Sequence, residues 1–110
     1  MNRRHRLGGR RAIDAVRARR AVAGSGSLRV HVAPNDLAVA RIAFAVPRSA
    51  GGAVVRNRIR RRLRALLRPA LPELAGLDLV VGARTAAASQ PSAVLAGDLL
   101  GSVRRARGRL

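Results

Sequence analysis

Ala53-Val-Val-Arg-Asn-Arg-Ile-Arg-Arg-Arg-Leu-Arg-Ala-Leu-Leu-Arg68 carries the pattern that organises the whole chain. Stepped at about 100° per residue, Val55, Ile59, Leu63, Leu66 and Leu67 gather on one third of a helix circumference, and Asn57, Arg60, Arg61, Arg64 and Arg68 gather opposite. The spacing predicts one amphipathic helix, anchored by an aliphatic stripe and presenting arginine on its other side. Pro69 and Pro72 stop it. Six of the nine residues from Arg56 to Arg64 are arginine, and no acid occurs from Arg56 to Arg68. Guanidinium groups bond phosphate oxygens at two points, so such a row suits the backbone of a structured nucleic acid. The plain alternative is a solvated charged face, but such faces usually mix signs, and this one does not. Asn57 has two readings, a contact to a base edge or sugar hydroxyl, or a helix cap.

Upstream, Gly51-Gly52 reads as a flexible loop and Pro47 as the end of a strand over Arg41–Val46, where Ile42, Phe44 and Val46 alternate with Ala43 and Ala45. Before that, Pro34-Asn35-Asp36 is turn chemistry, and Leu28, Val30 and Val32 alternate with Arg29, His31 and Ala33. These two strands are expected to pair antiparallel. Gly24-Ser25-Gly26-Ser27 reads as a flexible break, Arg10–Arg20 as a short helix, and residues 1–9 as a flexible basic arm. Downstream, Leu77–Gly82 is apolar almost without interruption, which predicts a central strand. Thr85–Ser92 is a loop of small residues, and Val94, Leu95, Leu99, Leu100 and Val103 place a closing helix over Pro91–Arg107. The pattern is one α+β domain over residues 1–110, a sandwich of helices against a small mixed sheet.

Composition narrows the function. The 110 residues include 23 basic side chains, all arginine, against 5 acids, for a formal net charge of +18. A compact fold with that charge repels itself, and a polyanionic partner removes the penalty. The absence of cysteine excludes a disulfide scaffold, a cysteine zinc site and a thiol nucleophile, and fits a reducing cytoplasm. No run approaches the length of a membrane span or a signal-peptide core. A membrane-surface helix would want bulky or aromatic interfacial residues, whereas this apolar stripe is aliphatic and needed for the core. Catalysis by the polypeptide alone is not expected. Asp14, Asp36, Glu73, Asp78 and Asp98 are scattered singly, His5 and His31 are the only imidazoles, and neither a nucleophile motif nor a phosphate-binding Walker loop is present.

The run Arg41-Ile-Ala-Phe-Ala-Val-Pro-Arg-Ser-Ala-Gly-Gly-Ala-Val-Val-Arg-Asn-Arg-Ile-Arg-Arg-Arg-Leu-Arg64 closely resembles the bacterial ribonuclease P protein subunit. The family signature is a strand, a Gly-x-Ala-Val loop, then Arg-Asn-Arg, an aliphatic residue and two basics. Gly51, Ala53, Val54, Arg56, Asn57, Arg58, Ile59, Arg60 and Arg61 match it. The resemblance implies an α-β-β-β-α-β-α order, one strand more than the residues alone suggest, with a left-handed β-α-β crossover shared with a ribosomal protein domain. It implies that the chain assists a catalytic RNA in removing the 5′ leader of precursor tRNA by hydrolysis. Magnesium would then be held by that RNA and by substrate phosphates, with no membrane and no obligate protein partner. It assigns RNA contact to Arg48, Arg56, Asn57, Arg58, Arg60, Arg61, Arg64 and Arg68, and a leader cleft to Ile13, Arg17, His31 and Phe44. The chain departs from the family at Ile13, Arg17 and His31, where aromatics are usual, and at Pro47 and Ser49 in the loop. Leader grip would then be more electrostatic, with His31 or Arg17 stacking in place of aromatic rings. For Ile13 the alternative is core packing, and for His31 an ordinary strand residue. The rival to the whole assignment is a purely structural RNA-binding protein with no associated catalysis.

Overall fold

In the computed structural model, which describes all residues 1–110, the apolar run Leu77–Ala83 (β4) lies inside a four-stranded sheet of order β1-β2-β4-β3. The other strands are Ala21–Ser25 (β1), Leu28–Pro34 (β2) and Arg41–Ala45 (β3), and the helices are Arg10–Ala18 (α1), Ala53–Leu67 (α2) and Ser92–Arg107 (α3). Short 3-10 segments cover Arg3–His5, Arg48–Ala50, Arg68–Leu74 and Thr85–Ala88. The order is α-β-β-β-α-β-α. β1 pairs antiparallel with β2, β2 antiparallel with β4, and β3 parallel with β4.

The expected direct pairing of β2 with β3 is therefore corrected, because β4 separates them. The physical reason is burial. Leu77, Leu79, Val81 and Ala83 enter the larger core while Val80 enters the smaller one, so β4 is covered on both faces and takes the central place. β1 is the strand that the residues did not announce. Ala21-Val-Ala-Gly-Ser25 has little intrinsic strand preference, and it forms because Ser25 pairs with Leu28 across a Gly26-Ser27 turn, with Gly26 at φ 58°. The supposed flexible break is thus a hairpin, tied to α3 where the Ser25 hydroxyl donates to Asp98 at 2.9 Å.

The sheet separates two cores of unequal size. On one face, Ile59, Leu63 and Leu67 of α2 and Leu95, Leu99 and Val103 of α3 close over Val30, Val32, Leu79 and Val81, within a cluster of 22 buried side chains. On the other, Val16 of α1 meets Leu7, Ala33, Ala43 and Val80 in a cluster of five. Leu7 corrects the expectation of a free arm, because it is buried and its N–H donates to the Ile42 carbonyl at 3.0 Å. Asn2 caps the turn that precedes it by accepting from the Arg4 N–H at 3.1 Å.

Candidate nucleic-acid interface

The entry to α2 depends on Gly51. Its φ of 141° disfavours a side chain, and a Cβ there would lie 2.9 Å from Val55 Cβ. Gly52 is the N-cap, so the capping alternative for Asn57 is excluded. Asn57 lies inside the helix, and its Oδ1 accepts from Arg60 Nη1 at 3.2 Å.

The arginines of α2 divide into two rows according to their place beside the apolar stripe. Arg58 and Arg62 flank one side and turn inward onto backbone. Arg58 Nε donates to the Ala88 carbonyl at 3.0 Å, Arg62 Nη1 donates to the Ala87 carbonyl at 2.8 Å, and Arg62 Nη2 donates to the Gln90 carbonyl. Together they hold the turn Thr85–Ala88 and the start of α3 against α2. Arg62 was not among the expected site residues, and its position at the stripe edge is the signal that marks it, since a long stem there can lie along apolar surface and deliver its head to a carbonyl. Arg56 lies at the opposite border of the stripe, half-buried, with its Nε buried and unpartnered.

The second row faces outward. Arg60, Arg61 and Arg64 surround a groove of about 480 Å³ together with Asn57 and the exposed Val54. The Arg64 guanidinium carbon sits 5.6 Å from the Phe44 ring centroid, a cation–π contact that fixes its direction. Arg60 and Arg64 also border a groove of about 630 Å³ between the N-terminal segment and β3, and Arg60 borders a third, of about 520 Å³, at the end of the sheet. Arg68 is exposed and lines a smaller cleft with Arg4 and His5, while Arg48 is exposed on its 3-10 turn.

The four expected cleft residues do not converge on one pocket. Ile13 packs against the small core and also borders the N-terminal groove. Arg17 and Phe44 share the groove at the sheet end. His31 pairs with Val80 and Phe44 with Val81, so the alternation of β4 puts them on opposite faces of the sheet. Phe44 reaches the grooves only because β3 is an edge strand. His31 is half-buried on the α1 face, where burial first, then Arg17 and Arg29, lower its pKa and favour the neutral ring.

The carboxylates do not form a magnesium-binding set. Asp78 receives Arg41 Nε and Nη2 at 2.8 and 2.7 Å and Asn35 Nδ2 at 2.9 Å, while Asp98 is engaged by Ser25 and Gln90. No three histidine or acidic side chains lie together. No helix is long and apolar enough to cross a membrane.

Fold and charge thus define a basic α+β domain with an arginine row exposed along one helix. The ribonuclease P family model matches residues 1–107, and the chain belongs to that family. It is similar to the ribonuclease P protein component of Gluconacetobacter diazotrophicus, at 40% identity over 108 residues that cover 96% of this chain and 93% of that protein. Its match to the corresponding protein of Roseiflexus castenholzii is 45% identical over 67 residues, covering 60% of this chain and 55% of that protein, so the chain aligns with little more than half of that relative's length. Among solved structures, the RNase P protein of Staphylococcus aureus superposes with a TM-score of 0.77 at 19% identity, covering 94% of this chain and 95% of that one. That of Thermotoga maritima gives 0.70 at 22% identity, covering 87% and 92%. At these identities the structural likeness speaks to the fold.

Proposed function

We propose that this chain is the protein subunit of a ribonucleoprotein endoribonuclease that removes the 5′ leader of precursor tRNA in the cytoplasm. Its outward row, Arg60, Arg61 and Arg64 with Asn57, docks on the catalytic RNA. The grooves bordered by Arg17 and Phe44 take the single-stranded leader. The observation that carries the reading is the outward arginine row, with no carboxylate lining any groove it borders, in a member of this family. The protein breaks no bond itself. It lowers phosphate repulsion and positions substrate, and the hydrolytic step together with its magnesium belongs to the RNA and substrate phosphates, in keeping with Asp78 being engaged by Arg41 and Asn35 and Asp98 by Ser25 and Gln90.

The test is reconstitution with the cognate RNA at low magnesium, measuring 5′ cleavage of precursor tRNA with and without a leader. Stimulation is expected, and greater with the leader present. Absence of stimulation in both cases would leave only a structural RNA-binding role.

A further inference from the structure

The grooves around this domain are not separate. The N-terminal groove and the sheet-end groove share Phe44 and Arg60, and the sheet-end groove shares Arg29 and Arg84 with a further groove of about 480 Å³ at the β1–β2 hairpin, where Arg109 forms the outer wall. The three grooves therefore adjoin one another from α2 to the hairpin. No carboxylate lines any of them.

Three features of the hairpin end point to a ligand. Arg29, Arg84 and Arg109 are exposed, and none donates a side-chain hydrogen bond within the protein, whereas the neighbouring Arg105 is engaged by the Gly24 carbonyl at 3.2 Å. Three like charges that share one groove repel one another unless an anion joins them. The floor is bare backbone. Gly24 and Gly26 line it, with the small side chains of Ala23 and Ser25 beside them.

We infer that Arg29, Arg84 and Arg109 form a second phosphate-binding subsite that grips the distal part of a single-stranded RNA leader. This rests on the function proposed above. With α2 on the catalytic RNA and the leader entering the grooves beside Phe44 and Arg17, its farther nucleotides would reach the adjoining hairpin groove. The subsite reads phosphate rather than bases, since its side chains are guanidinium groups over glycine backbone with no aromatic ring.

The test uses the reconstituted holoenzyme and precursor tRNAs whose leaders are lengthened one nucleotide at a time. Affinity of the wild type should rise with length in two stages. In the triple variant Arg29→Gln, Arg84→Gln, Arg109→Gln the first stage should persist and the second should vanish. The salt dependence of the long-leader increment should fall by about two in log–log slope, roughly 0.7 for each single-strand phosphate that is no longer neutralised. A circular dichroism melt matching that of the wild type confirms that the variant is folded. Equal loss of affinity at every length, or no loss at any length, overturns the subsite while leaving the function standing. If wild-type affinity does not depend on a leader at all, the function itself fails and the subsite with it.

Discussion

The two arginine rows of α2 differ in what their guanidinium groups find within reach. Arg58 and Arg62 find the carbonyls of Ala87, Ala88 and Gln90 and become part of the scaffold. Arg60, Arg61 and Arg64 find each other, one asparagine and one phenylalanine ring, and their positive charge stays on the surface. One residue type on one helix thus meets two environments, and a uniform run of arginine is not a uniform face. The division also explains how α2 can carry so much like charge, since the inward row directs its donors to backbone carbonyls with no partner inside α2.

Both rows stand on Leu63, which is fully buried. Leu63→Ala should cost about 3 kcal/mol in a denaturant melt, and RNA binding should be lost in parallel with folding. Retained RNA affinity in a destabilised variant would mean that the outward row does not need its platform.

Arg62→Ala should separate the rows. Loss of its hydrogen bonds should lower stability by about 2 kcal/mol, while the salt slope of RNA binding, read well below the melting temperature, stays unchanged. Arg60→Gln with Arg64→Gln should do the reverse. Stability should shift by no more than about 1 kcal/mol, chiefly through the cation–π pairing of Arg64 with Phe44. The slope of log affinity on log salt should fall by roughly 0.7 to 0.9 for each phosphate left unneutralised. If both variants move both quantities together, the distinction between rows is wrong.

His31 gives a smaller effect, and one that depends on pH. Its pKa in the folded state lies below the ordinary value near 6.5, so the unfolded chain binds the additional proton first. Stability should be insensitive to this group above that value and should fall as pH drops through it toward the folded pKa. An NMR titration of the imidazole checks the direction. Arg17→Gln should raise the His31 pKa only in part, because burial is the larger cause. The smallest expected change belongs to Asn57→Ala, under about 0.5 kcal/mol in stability for one exposed hydrogen bond. Lower RNA affinity at an unchanged salt slope would assign Asn57 to a base or sugar contact.

Much of this architecture is legible in the residues alone. The stripe Val55, Ile59, Leu63, Leu66 and Leu67 defines α2; Ile59, Leu63 and Leu67 are buried, and Val55 and Leu66 pack half-buried against the same core. The unbroken apolar run of β4 marks a central strand, because side chains on both of its faces must leave water. The signature from Gly51 to Arg61 marks the family to which the chain belongs. β1 was hidden because alanine, glycine and serine carry no period-two contrast. The docking of Leu7 was hidden because one leucine among arginines has no pattern.

Local chemistry settled where helices and strands begin, since periodicity and turn residues act over a few neighbours. Which strands touch was another matter. β4 enters between β2 and β3 from more than thirty residues away, a choice made by shared burial rather than by any adjacent residue. The same holds for the arginines. Their charge is written residue by residue, but whether a guanidinium meets a carbonyl or solvent depends on the turn Thr85–Ala88 and β3 arriving beside α2, because a hydrogen bond needs its acceptor within about 3 Å.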